Sequence, residues 1–231
     1  MSYTKRSDGR KMDELRPIIT KVGVVPSADG SAMFAQGDTI AIASVHGPRI
    51  LNPRHQQDPG RGLIRVHYNM LPFSVSDRIR PGLSRRSQEI SKVTEWALTP
   101  VVMLDDLPGT VVDVHINIQQ ANAGTRCAGI NAAALALAHA GIPMKEMISA
   151  VAIGKIDDKI VADITKEEED YEEGEGATDI PMTFLSNSEE ISLLQLDGKI
   201  QLKRLKEALE AGKKACKEIN KIQEKALKES I

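Results

Sequence analysis

The sequence predicts an α+β layer fold, not a doubly wound parallel sheet. Three observations carry that expectation. Val112, Val114, Ile116 and Ile118 alternate with Asp113, His115 and Asn117, the period-two pattern of a strand with one buried face. Residues 130–141 then run almost entirely in Ala, Leu and Ile with no turn former inside, which describes a helix apolar on most sides and buried mid-domain. Hairpin signals lie on both sides of this pair, and an amphipathic helix over 201–228 closes the chain. Strands and helices are therefore grouped, not strictly alternating.

Composition sets the outer limits. The 231 residues are 41% hydrophobic and 27% charged, ordinary for a globular chain with a real core. A net charge of -2 confines any nucleic-acid contact to a local patch. The two cysteines, Cys127 and Cys216, fall in predicted helices with no CxxC or histidine spacing, against a disulfide framework or a zinc site. No apolar run approaches membrane-spanning length and no signal-peptide core opens the chain, so the expectation is a cytoplasmic protein without membrane contact.

Taken in order, residues 1–16 read as an ordered arm, polar with a turn at Asp8-Gly9, on a single domain spanning 1–231. A strand over 18–25 is closed by Pro26 and the Asp29-Gly30 turn. Strands over 31–36 and 39–46 are joined by Gly37-Asp38, a two-residue hairpin signal, and Gly47-Pro48 stops the second. Residues 49–62 lack periodicity and form a long loop bearing Arg49, Arg54, His55 and Arg61, and such loops are often functional. A strand over 63–70 embeds Arg65, His67 and Tyr68. Ser84 then caps a helix whose apolar face is Ile90, Val93 and Ala97, with Glu89 beside that face and Thr99-Pro100 at its end. Arg85 and Arg86 fall in its first turn, where the helix dipole disfavours cations. They point to an external anion or to a partner subunit's carboxylate.

After the central strand and helix comes a second hairpin, 147–153 with 159–163, across Asp157-Asp158. Seven carboxylates crowd residues 167–175, a run that reads by default as a solvated loop. Asp179 differs, because it begins the apolar strand Asp179-Ile180-Pro181-Met182-Thr183-Phe184-Leu185 and is held more rigidly than a loop acid. A last strand covers 191–196. The terminal helix places Leu202, Leu205, Leu209, Cys216, Ile219 and Ala226 on one stripe, suited to docking on a sheet.

The chemistry concentrates where the central strand meets the central helix, at Gly124-Thr125-Arg126. The first N–H groups of a helix lack internal partners and carry partial positive charge. Thr125 adds a hydroxyl and Arg126 a planar fork matched to phosphate oxygens. Read locally, the motif is equally a plain turn with a surface charge. Walker, GxGxxG and Ser-His-Asp patterns are absent. Cradle, arginines and the Asp179 carboxylate together suggest phosphoryl chemistry with inorganic phosphate as a reactant.

The combination Arg6-Ser7-Asp8-Gly9-Arg10 with Leu15-Arg16, Gly37-Asp38-Thr39, Gly47-Pro48, Pro72-Phe73-Ser74, Ser84-Arg85-Arg86, the run from Gln120 to Arg126, and Asp179-Ile180-Pro181 resembles the ribonuclease PH family. The resemblance runs from residue 5 to the terminal helix. Within the family it is closer to the catalytic ring subunits of archaeal exosomes, because Leu196-Asp197-Gly198-Lys199 leads straight into the last helix, without the extra strand segment of the bacterial enzyme. It implies a ribonuclease PH-like fold and reversible 3′→5′ phosphorolysis of single-stranded RNA, releasing nucleoside diphosphates. It also implies phosphate held by Gly124, Thr125 and Arg126, and RNA gripped by Arg85 and Arg86. Arg54 and His55 would face a central pore and Tyr68 would stack on a base. The family's acid pair maps to Asp170 and Asp179, with Glu173, six positions before Asp179, in reserve; these acids protonate the leaving oxygen or hold a divalent metal such as Mg2+. The implied partners are a paralogous non-catalytic subunit in a hexameric ring, a trimer of heterodimers, and RNA-binding cap subunits. Two rivals stand beside this reading: a stand-alone ribonuclease PH trimming tRNA ends, and a non-catalytic RNA-binding ring subunit.

Overall fold

Two β-sheets enclose one apolar helix. The computed structural model describes residues 3, 5–171, 174 and 176–230. The first sheet contains β1 (Ile18–Val22), β2 (Gly30–Gln36), β3 (Thr39–Ile50), β4 (Leu63–Met70) and β5 (Thr110–Gln120), in the order β1-β2-β3-β5-β4. All neighbours are antiparallel except β4 and β5, which run parallel from Leu63↔Val111 to Met70↔Ile118. A parallel pair needs a crossover, and α1 (Arg85–Leu98) lies in it. The second sheet is antiparallel, ordered β7-β6-β8-β9, from β6 (Ile148–Ile156), β7 (Lys159–Ala162), β8 (Ala177–Leu185) and β9 (Ile191–Leu194).

The central helix, α2 (Thr125–His139), packs on both sheets and is buried at nearly every position from Cys127 to Leu137. That is the physical meaning of its all-round apolar sequence: it has no solvent face. The inner face of β5 meets it with Val112, Val114, Ile116 and Ile118, all fully buried, while Asp113, His115 and Asn117 point the other way. Gly129 permits the approach, since a Cβ there would lie 3.1 Å from Ile116. Every residue of β6 is buried, because α2 and α4 (Leu202–Glu229) both pack on it. Asn131 of α2 pairs with the Ala150 backbone in both directions, at 2.8 and 2.9 Å, tying the helix to the second sheet.

Several expectations shift. Gly47-Pro48 does not stop β3; the strand runs on to Ile50 through a bulge between His46 and Arg49. Gly47 takes φ 121°, its N–H goes to Asp29 at 2.8 Å, and Pro48 sits where the ladder asks for no donor. The strand predicted over 18–25 ends at Val22, where Gly23 turns with φ 74°. A 3₁₀ turn, Arg54–Gln56, interrupts the long loop. Residues 166–169 are a helical turn, α3 (Lys166–Glu169), capped by Thr165, not a uniformly solvated loop. On α4 the docked stripe is Ala208, Gly212, Ala215, Cys216, Ile219 and Gln223, whereas Leu202 is 70% exposed. Small residues win because the helix lies close to the sheet: a Cβ on Gly212 would fall 2.0 Å from the Met182 sulfur. Both cysteines are free and buried, and no helix among the described residues is long and apolar enough to cross a membrane.

The arm is part of the fold. The Arg6 side chain is fully enclosed and donates to both Glu168 oxygens at 2.8 and 2.9 Å and to the carbonyls of Ala162 and Asp163 at 2.8 Å each. Arg16 grips the buried Asp163 carboxylate through Nε at 2.9 Å and Nη2 at 2.7 Å.

Candidate active site

The turn between β5 and α2 holds two successive residues in the left-handed region, Ala123 at φ 55° and Gly124 at φ 62°. Its carbonyls are tied down from the first sheet and the arm. The Thr39 hydroxyl donates to Ala123 O at 2.8 Å and accepts from the Asn122 N–H at 3.0 Å, and Arg16 Nη1 donates to Asn122 O at 2.5 Å. Gly124 is the N-cap and supplies no side-chain acceptor, so among the described residues the first amides of α2 have no side-chain cap and stay available to an incoming anion.

This turn forms one wall of a cavity of about 450 Å³. Gly124, Thr125 and Arg126 line it together with Arg86 from α1, Lys166 and Glu169 from α3, and Asp179 from β8. Two sheets, two long helices and a capped turn thus converge on one volume. Arg86 is exposed in the first turn of α1, where Ser84 and Ser87 form a capping box and no acid is present. Neither Arg85 nor Arg86 has an ion-pair partner among the described residues, and only Arg86 lines the cavity.

Asp179 is the third residue of β8, not its first, and pairs with Gly154 of β6. Its backbone also exchanges hydrogen bonds with Asp197, at 2.9 and 2.8 Å, so the side chain is held in regular sheet. Oδ1 is buried without a hydrogen-bond partner among the described residues. Burial raises its pKa to about 6, and the Glu169 charge adds to the rise; Arg126 opposes it, Asp197 adds, and Arg86 opposes. A carboxyl titrating there can hold and release a proton near neutrality.

The structure brings Glu169, not Asp170, to Asp179. The Thr165–Glu168 capping box sets the phase of α3. Glu168 is then turned inward to Arg6 and Tyr3, Lys166 and Glu169 share the face toward the cavity, and Asp170 points to solvent. The Asp170 side chain is 61% exposed and accepts from Lys166 Nζ at 2.6 Å. Glu173 lies outside the described residues. The Thr165-Lys166-Glu167-Glu168 spacing is the sequence signal for this phase.

Tyr68 is also elsewhere than expected. On β4 it points inward, is 2% exposed in the core, and burial raises its pKa against the pull of the Thr125 hydroxyl. No ring face is open to a base. Arg54 and His55 are exposed in the 3₁₀ turn and do not line the cavity. Gln195, just after β9, is a participant that sequence reasoning passed over: its side-chain oxygen accepts from Arg126 Nη1.

Comparison with known proteins follows this geometry. Residues 14–143 match the first domain of the 3′ exoribonuclease family and residues 146–215 match its second. The chain belongs to the 3′ exoribonuclease family. The two matches divide close to the two sheets, with the cavity where they meet. The chain is 50% identical over 225 residues, 97% of its own length and 89% of the relative's, to the exosome complex component Rrp41 of Thermococcus kodakarensis. It is 46% identical over 224 residues to the Rrp41 component of Methanopyrus kandleri, covering 97% of this chain and 92% of that one. In fold it resembles Rrp46 of rice, Oryza sativa, with a TM-score of 0.86 at 24% identity, across 96% of this chain and all of the other.

Proposed function

We propose that this chain is a catalytic exosome-type ring subunit that shortens RNA from its 3′ end by phosphorolysis. One observation carries the reading: a helix N-terminus without a side-chain cap and bearing Arg126, a second arginine at Arg86, and a half-buried carboxyl with raised pKa all face one cavity. Inorganic phosphate fits the α2 amides, the Thr125 hydroxyl and Arg126, and the terminal RNA phosphate fits Arg86. A phosphate oxygen attacks the last phosphodiester phosphorus, the bond from phosphorus to the 3′-oxygen breaks, and a nucleoside diphosphate leaves. The departing 3′-oxygen takes its proton from Asp179. Positioning and fixed positive charge do most of this work. One phosphorus–oxygen bond replaces another, so the reaction also runs backward and adds nucleotides from diphosphates.

Glu169 and Asp179 are a donor set suited to Mg2+, which takes one or two carboxylates and completes its shell from phosphates and water. With the carboxyl ionised, Asp179 Oδ1, which has no hydrogen-bond partner among the described residues, would hold the cation, a role alternative to that of proton donor. Bound there, the cation would neutralise charge shared between the two phosphates. Assembly with paralogous subunits is supported by the exosome-component relatives, and RNA-binding caps above such a ring are part of the same proposal.

The test is to incubate the chain, alone and with its ring partner, with single-stranded RNA in phosphate or in phosphate-free buffer. Phosphate-dependent release of nucleoside diphosphate is expected, and Arg126→Glu should abolish it while assembly persists. Monophosphate made without phosphate would overturn the reading. Inactivity with the partner present would favour a scaffold subunit, and a stable, active homohexamer a stand-alone enzyme.

A further inference from the structure

The geometry points to Gln195 as a positioning residue for phosphate: its amide holds one edge of Arg126 so that the other edge faces the oxyanion. Four observations place it there. Arg126 Nη1 donates to the Gln195 Oε1, and the guanidinium makes no other hydrogen bond among the described residues. Gln195 Nε2 donates in turn to Glu89 Oε1 at 3.5 Å, so α1 closes the chain of contacts. The Gln195 N–H bonds Pro181 O at 3.0 Å, and the next pairing, Asp197 with Asp179, zips the segment onto the strand that bears the acid. Arg126 and Asp179 both line the cavity.

The polarity of these contacts leaves one arrangement. A guanidinium only donates and a carboxylate only accepts, so the amide oxygen must face Arg126 and the amide nitrogen Glu89. A flipped amide would lose both contacts. An arginine has five donors in a rigid fork, and occupying one on Nη1 leaves the Nη2 and Nε donors for an anion. Without Gln195 the long side chain must be ordered by the phosphate itself, and that ordering weakens binding. The segment after β9 thereby links phosphate affinity to the acid strand.

This inference rests on the phosphorolytic reading, and its test separates the two. With the assembled protein, the rate of RNA shortening is measured against phosphate concentration for the wild type, Gln195→Ala, Gln195→Glu and Glu89→Gln. For Gln195→Ala the KM for phosphate should rise about tenfold, the scale of re-immobilising one arginine side chain. Its kcat at saturating phosphate, and its RNA affinity without phosphate, should stay within about twofold. In the reverse direction kcat/KM for nucleoside diphosphate should fall by the same factor, because the terminal phosphate enters the same cradle. Gln195→Glu keeps an acceptor for Arg126 but adds a charge that competes with phosphate, so its KM should exceed that of the alanine variant. Glu89→Gln, on an exposed helix position, should raise the KM by a smaller factor and gives the same readout if Gln195→Ala fails to assemble. A wild-type phosphate KM in Gln195→Ala, or a loss confined to kcat or RNA affinity, overturns the assignment of Gln195. A wild type indifferent to phosphate overturns the function itself.

Discussion

Replacing Asp179 by asparagine should remove the acid and at the same time stabilise the fold above pH 6. The folded protein holds this carboxyl's proton more tightly than the unfolded chain does, with a pKa of about 6 against 3.8. The resulting stabilisation is complete below the unfolded value and is lost as pH rises through 6. At pH 8 the wild type therefore carries a charge that its site disfavours, and asparagine does not. At about 1.36 kcal/mol per pKa unit, the full difference is about 3 kcal/mol. Asp179 is only partly enclosed and has Arg126 and Arg86 nearby, so a gain of about 1–2 kcal/mol is the expected share. For a chain of this size that is a rise in Tm of about 2–8 °C. The assay is thermal unfolding of both proteins from pH 4 to 8, in phosphate-free buffer with chelator, because any ligand of the folded state would add its own stabilisation. The gap should open as pH rises and vanish near pH 4, while phosphate-dependent RNA shortening is lost in the variant at every pH. A variant less stable than wild type at pH 8, or a gap of constant size, would refute the account of a desolvated carboxylate.

The remaining expectations address the arginines. Arg86→Glu should weaken RNA binding more than Arg85→Glu, since only Arg86 faces the cavity, and losing one phosphate contact should flatten the salt dependence by about 0.7 in log–log slope. Equal effects in a binding titration across salt concentrations would contradict the placement. Arg6→Ala should cost about 3–5 kcal/mol in urea unfolding, because it strands the buried Glu168 carboxylate. A loss under about 1 kcal/mol would mean the arm is not part of the fold.

Arg6 also shows how the site is built from a distance. It fixes Glu168, Glu168 closes the capping box with Thr165, and that box sets which face of α3 carries Lys166 and Glu169. The residue that reaches the cavity is chosen by contacts that lie outside it. Among consecutive acids such a choice has no signature in local composition, and so Asp170 and Glu169 exchanged places between expectation and structure.

By itself the sequence determined the strand through Val112–Ile118, the buried helix after it, the Ser84 cap, and the Gly124-Thr125-Arg126 turn at the junction of strand and helix. These are short-range matters: periodicity reports which faces are dry, and a glycine at positive φ with a hydroxyl and an arginine after it marks a helix start. Only the tertiary structure decided that Asp179 and Arg126 line one cavity, that Glu169 rather than Asp170 lines it with them, that Gln195 accepts a hydrogen bond from the arginine, and that Tyr68 is core. Each of those depends on which face a side chain presents after two sheets have closed around one helix. That orientation is set by packing and by ion pairs between segments more than a hundred residues apart, a distance over which no local pattern carries information.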